Sequence, residues 1–405
     1  MSADVVSVTP IVVPLAGGSY VDPAFGTTVT RITATGSWCA PDYSTFCPFN
    51  ADQSRYLLVN VDHFVLMGGT SPVDLPIGAS CDPRLSRTDP GLIYFVQGNA
   101  LNSLEVGTGR AATVRSFPEY TDIRVGNGEG DISFDGGFFA LVGTRPGGGV
   151  EIFVYDIKAN VKGAAFDTAG RPLDAVYMAP SGVLVKWTDA IELRDIYMGL
   201  LRPILSCDGH GAVGPDNCLY VTNSNESPVT LPDFPNGIVR IDLATGKQTG
   251  LLALPWGGWE EAVDIAANVP GLILVATYSA RGGDWVPYRD ELLLCATDGS
   301  FVKRLAHTRT SADLSWPTED RYLVQPHAQF TQDPATGKIR VIWGSNMAHP
   351  SEPGRCDTYM LEVDGPDSVT PPPTPKPLPP PIPQPLKGGG GNPGHGPKGG
   401  YRGSR

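Results

Sequence analysis

No stretch of these 405 residues approaches the ~18 consecutive apolar residues that a membrane-crossing helix needs, so no membrane span is expected. Charge is also sparse, with Asp, Glu, Lys and Arg making up 18% of the chain. The charge is unevenly placed. Lys376, Lys387, Lys398, Arg402 and Arg405 face only Asp367 after residue 365, so this tail carries +4 and leaves −16 on the remainder of a chain whose total is −12. A body so short of cations argues against nucleic-acid binding, which depends on Lys and Arg meeting phosphates. No Lys or Arg precedes the apolar stretch of MSADVVSVTPIVVPLAGG, and Pro10 and Pro14 interrupt it. It reads as strand rather than as a Sec signal peptide. A particle-associated (for example virion) or cytoplasmic protein is therefore expected, unless the chain has been trimmed. The seven cysteines form no C-x-x-C pair, which weakens a zinc or redox reading. Cys39 with Cys47, and Cys207 with Cys218, are close enough in sequence to bridge across a loop.

Glycine and proline, by contrast, are abundant at 49 and 39 residues. Both break helix interiors, so the composition excludes a helical bundle and suits short strands joined by turns. The excess has two parts. Thirteen of the prolines fall in residues 366–405, where PPPTPKPLPPPIPQPL is followed by a Gly-rich end. Such a segment has too little apolar surface to fold alone and reads as a disordered or partner-held tail.

The rest punctuates a repeated phrase: a small polar turn followed by an apolar strand. It appears around Asp52, Asp135, Ser181, Asp216, Pro270 and Asp333. The first gap, 83 residues, is nearly twice the others, and TDPGLIYFV around Pro90 fills it as a divergent copy. Between these copies lie hairpin phrases such as IVRIDLATGKQTGLL and LLLCATDGSFVKRLA, whose Thr245-Gly246 and Asp298-Gly299 suit tight turns. Seven units of about 47 residues match propeller blades, which bury both faces only by closing into a ring. The expectation is an all-β, seven-bladed β-propeller over residues 27–364, with an N-terminal extension over 1–26 and the Pro/Gly-rich basic tail over 365–405. Either 5–13 or 27–33 is expected to close the ring against residues 359–363.

The segments TVTRIT, YSTFCPFNADQSRYLLV, ELLLCATDGSFVKRLAHT and QPHAQFTQD…IRVIWGSN resemble the seven-bladed propellers of the oligogalacturonate lyase group and the wider TolB-like propellers. The resemblance spans residues 27–364. It implies cleavage of an acidic polysaccharide by β-elimination, with a divalent metal held by several His and a Gln in the axial funnel and a further His or Tyr as base. Gln325 and His327 in YLVQPHAQF match the metal motif, but Gln329 stands where a second His would complete it. Amide oxygen is a poor substitute for imidazole on Mn or Zn. If this segment is strand, Gln325, His327 and Gln329 share one face and line the axis. His307 in RLAHT matches a family position, and two readings stand for it: a cluster with His327, or a structural hydrogen bond at the end of a hairpin strand.

His210, in CDGHGAVGPDN, precedes a blade strand with glycines on both sides and is the other candidate base. His349 and His63 are weaker candidates. A binding case rests on Trp256 and Trp259 beside Glu260 and Glu261, and on Trp285, Tyr288 and Arg289, since aromatic faces stack on sugars and Arg forks hold carboxylates. Trp packing between blades would explain the tryptophans equally well. Glu129, Asp131 and Asp135, with Asp82 and Asp89, offer oxygen ligands for calcium but lack the alternating spacing of a calcium loop. Two functions follow. One is a binding or assembly module, with a loop face for a glycan or protein partner and a tail tethered to a larger assembly. The other is a metal-assisted polysaccharide lyase.

Overall fold

Each of the seven turn phrases occupies the same place in the computed structural model: it joins the innermost strand of a sheet to the second strand. The structure describes residues 4–366 except 208, 224–230, 232, 233, 235, 255–260, 281–285 and 314. Within them seven antiparallel sheets follow one another: 39–78, 84–116, 122–167, 173–205, 211–253, 261–307 and 329–363. We call these blades 1 to 7. The chain is a seven-bladed β-propeller.

Period-2 alternation explains why the blades need one another. In blade 4, Ala175, Tyr177 and Ala179 face blade 5, while Val176 and Met178 face blade 3. In blade 1, Leu57 and Val59 face blade 2, while Tyr56 and Leu58 face blade 7. Both faces of every blade are thus apolar, and one buried cluster sits at each of the seven blade interfaces. A single blade would leave two such faces in water.

The ring is closed by Thr28–Arg31, which pairs antiparallel with the last strand of the chain through Val29–Leu361, Thr30–Met360 and Arg31–Tyr359. Ser19–Val21 adds a fifth strand outside it. The Arg31 guanidinium, 8% exposed, donates to Asp357 Oδ2 at 2.7 Å, to the Thr33 carbonyl at 3.0 Å and to the Pro14 carbonyl at 3.0 Å. The other ring-closing candidate, residues 5–13, forms no strand. Pro10 within it and Pro14 just after it lack the N–H a ladder needs, and it lies against the ring as an extended strap. Side chains hold its carbonyls: Arg304 Nη1 to Asp4 O at 2.9 Å, His307 Nε2 to Val6 O at 3.1 Å and Arg309 Nη1 to Thr9 O at 2.9 Å.

Cys39, Cys47 and Cys218 are free buried thiols, so neither anticipated disulfide is formed. Cys47 Sγ points to the Phe49 carbonyl at 3.9 Å and Cys218 Sγ to the Asp216 carbonyl at 3.6 Å. No helix of the described residues is long and apolar enough to cross a membrane. The tail 367–405 lies outside the described residues.

Removing Arg31 strands the buried Asp357 carboxylate at the closure. Arg31→Met is expected to cost about 3 kcal/mol in urea unfolding. A cost below ~1 kcal/mol, the level of an exposed pair, would show that the ion pair does not hold the ring.

Candidate functional site

Two innermost strands depart from a simple ladder. In blade 1, Cys39–Asn60 and Ala40–Val59 pair in one register and Phe49–Tyr56 in another, which leaves residues 41–48 outside the ladder. In blade 3, Val125 pairs with Leu141 but Ile132 with Phe139, which frees residues 126–131. An innermost strand has only the axis to bulge into, and there the two insertions meet. Thr45 Oγ1 donates to the Glu129 carbonyl at 2.7 Å and the Cys47 N–H to Asp131 Oδ2 at 2.9 Å. Arg84 of blade 2, 1% exposed, clamps them from below: Nε to Gly130 O at 2.6 Å, Nη2 to Gly128 O at 2.8 Å, and its guanidinium 3.8 Å from the Phe46 ring centre. Gly126, at φ +53°, lies so close to blade 4 that a Cβ would stand 2.2 Å from the Val176 carbonyl oxygen. A gap of about 20 Å³ beside the plug, between Thr45, Asp131, Tyr177, Val213 and Asn268, has room for roughly one water.

Above this plug is a mouth, on the face where each outer strand passes to the next blade. Tyr43, on the blade 1 insertion, reaches across the axis to His210 before blade 5 (ring centres 6.1 Å apart) and to His327 before blade 7 (5.5 Å). Asp264, 2% exposed on the innermost strand of blade 6, accepts the His327 backbone N–H at 2.8 Å and has His210 Nε2 3.7 Å from its other oxygen. Tyr322, on the short helix Thr318–Leu323, lies over His327 with ring centres 4.9 Å apart and is itself 42% exposed. Glu129 accepts from Tyr177 Oη at 2.8 Å.

The His327 ring is fully buried, and neither of its nitrogens has a hydrogen bond of good geometry. Burial lowers its pKa, against the pull of the Asp264 charge and the nearby Tyr322 carbonyl. Burial also raises the Glu129 carboxyl, opposed by the Tyr177 hydrogen bond. Asp42, inside the insertion, is pushed up to about 6 by burial, against the attraction of Arg84.

The structure brings His210 and His327 to one mouth but does not assemble the expected metal face. The strand starts only at Gln329, so Gln325 and His327 precede it, and His327 has a positive φ of 41°. Strand alternation therefore does not align the three. Gln329 is occupied structurally: its Nε2 donates to the Tyr43 carbonyl at 2.7 Å and its Oε1 accepts from Asn268 at 2.5 Å. Among the described residues no three His, Cys, Asp or Glu gather as metal ligands. The donor set does not fit the divalent metal that the resemblance implies. The calcium candidates are likewise engaged. Asp82 takes a forked contact from Arg124 at 2.7 Å, Asp131 binds Arg87 at 2.6 Å, and Asp135 holds its own turn through Ser133 and Gly137.

His307 does not join His327. It ends the outermost strand of blade 6, three strands out from Asp264 or ~14 Å at the usual strand spacing. There Asp22 accepts its backbone N–H at 3.1 Å beneath the strap. Burial would raise the Asp22 carboxyl, but hydrogen bonds from His307 hold it down at about 2. His349 sits in a loop of blade 7 between Glu352 at 3.1 Å and Asp357 at 3.6 Å, and His63 beside Asp62 at 3.0 Å. Tyr288 and Arg289 lie on the loop between the second and third strands of blade 6. Arg304 stands 5.4 Å from the Tyr288 ring centre, and the Arg289 side chain is 5% exposed, which leaves little of it for a ligand. Trp256, Trp259, Glu260 and Trp285 lie outside the described residues.

Tyr43, Asp264 and Tyr322 were not singled out from sequence. Asp264 had a readable signal, a lone acid within the apolar run AVDIAANV, and Tyr43 another, its place between Pro41 and Pro48.

No family model matches the sequence, and no curated protein matches it. The fold is nevertheless shared with solved structures. The chain is similar to an oligogalacturonate lyase from Vibrio parahaemolyticus, with TM-score 0.61 and 16% identity over 90% of this chain and 99% of that one. It is also similar to the propeller domain of the Trilobed protease from Pyrococcus furiosus, described as having an open velcro topology, with TM-score 0.50 and 12% identity over 80% and 97%. TolB from Acinetobacter baumannii matches with TM-score 0.37 and 16% identity over 68% and 65%. At these identities the likeness is one of fold.

With the Asp42 carboxyl raised from 3.8 to about 6, the folded state binds the extra proton between those values. Stability from this group is therefore present below pH ~4 and lost as pH rises through ~6. Asp42→Asn is expected to gain about 2 kcal/mol on the wild type between pH ~4 and ~8. Thermal melts at both pH values check this, and an identical difference at both would contradict it.

Proposed function

We propose that this propeller is a binding module whose mouth takes a glycan or protein partner and whose basic tail, residues 366–405, tethers it to a larger assembly such as a virion. The observation that supports this reading most is the filled axis. The Gln329 amide, standing where a second His would complete a metal set, ties blade 7 to the blade 1 insertion, and the imidazole of His327 is enclosed by Tyr43 and Tyr322. Among the described residues, a rim of Tyr322 and the partly exposed His210 stays open above the buried Asp264 carboxylate, a surface suited to hydrogen bonding and ring stacking. The opposed charges of tail and body support a separate attachment role for the tail. Deleting 366–405 is expected to leave the melting transition in place and abolish incorporation into the assembly. Unchanged incorporation would refute the tether.

A second reading, a polysaccharide lyase, draws on His210 beside Asp264 at the mouth. A carboxylate at 3.7 Å can support an imidazole taking a proton, and a lyase from Vibrio parahaemolyticus shares the fold. Incubation with pectic, alginate and ulvan-type polymers, with Mn or Ca supplied, separates the two readings. The binding reading expects no ultraviolet-absorbing unsaturated product. A product that disappears in His210→Ala would establish the lyase.

A further inference from the structure

Among the described residues the Asp264 carboxylate forms no ion pair with Lys or Arg: it accepts the His327 N–H at 2.8 Å and has His210 Nε2 3.7 Å away. The other carboxylates near the mouth are engaged, Asp174 by Lys186 at 2.5 Å and Glu129 by Tyr177 Oη at 2.8 Å. A second feature points inward from the same place. The His327 imidazole is wholly buried under Tyr322 with both nitrogens lacking a well-formed hydrogen bond, a state that buried polar groups rarely keep without a further partner.

We propose that the mouth binds a sugar bearing a protonated amine, with the ammonium on Asp264 and the sugar ring against Tyr322 and Tyr43. This deepens the binding reading above and rests on it. Carboxylates in a partly dry site accept hydrogen bonds from ammonium and hydroxyl groups, and tyrosine faces attract cations. A uronate would bring like charge to the same carboxylate, which costs encounter rate and affinity. Tyr322, exposed on one side and resting on His327 on the other, is the side chain that moves when the ligand reaches the imidazole.

Calorimetric titration of the full chain with a glucosamine oligomer, its N-acetylated counterpart and an oligogalacturonate tests this, with a lysine-rich peptide as a fourth probe. The free amine is expected to bind about tenfold tighter than the acetylated sugar, and to lose that advantage at high ionic strength. Asp264→Asn should remove the preference while keeping an oxygen to accept the His327 N–H, and Tyr322→Ala should weaken both neutral and amino sugars. A thermal melt of each variant reports whether the fold persists. Equal affinity for free and acetylated amines would overturn the amine while sparing the glycan reading. Tighter binding of oligogalacturonate would reverse the charge selectivity. Binding of the lysine peptide alone would replace the sugar by a protein partner. No binding of any probe would overturn the binding reading of the mouth itself.

Discussion

The fold depends on one closure. Every blade is apolar on both faces, so an open row of seven would leave two apolar sheets in water, at roughly 25 cal/mol for each Å² left exposed. Thr28–Arg31 removes that exposure by completing blade 7 from the N-terminal side, and the buried Arg31–Asp357 pair fixes the register at which the two ends meet. The same guanidinium holds the Pro14 carbonyl of the strap. Strap, closing strand and last blade are thereby one connected piece, and the geometry of the axis follows from a ring that is shut.

Once the ring is shut, the innermost strands decide what the axis is for. Residues 41–48 and 126–131 leave their ladders and lock together across it, with Arg84 beneath them. This uses up side chains that a metal-dependent propeller would keep for its ion. Gln329 becomes a structural tie and His327 a covered imidazole. The proposed binding site lies outward of the plug, at the rim where Asp264, His210, Tyr43 and Tyr322 meet. The overall fold resembles that of a lyase, yet the centre is built for packing. Likeness of fold carries little about chemistry when the centre differs in this way.

The sequence was most legible where physics is local. A tight turn needs Asp, Pro, Ser or Gly at fixed offsets, and each of the seven such turns, from Asp52 to Asp333, is followed by a strand; the structure adds that each joins a first strand to a second. Thr28–Arg31 was legible as a closing strand by its alternation, whereas 5–13 misleads because its apolar residues imitate a strand that Pro10 and Pro14 forbid. The site was less legible because it is made by register. Nothing in YSTFCPFN shows that Phe49 pairs six places out of step with Ala40, and that slip carries Tyr43 to the axis. The motif Gln325-Pro326-His327 reads as strand but turns through a left-handed residue. Of the two readings of His307, the structural hydrogen bond holds and the cluster with His327 does not, because His307 ends a fourth strand and not a first.

On the proposed reading the axial residues serve packing and ligand contact and do not hold a metal. Titrating Mn²⁺ into the full-length protein and following the free-ion electron paramagnetic resonance signal tests it most directly. The structure predicts that the signal grows in proportion to added ion, with no stoichiometric uptake. One equivalent taken up tightly, and released by His327→Ala, would contradict it.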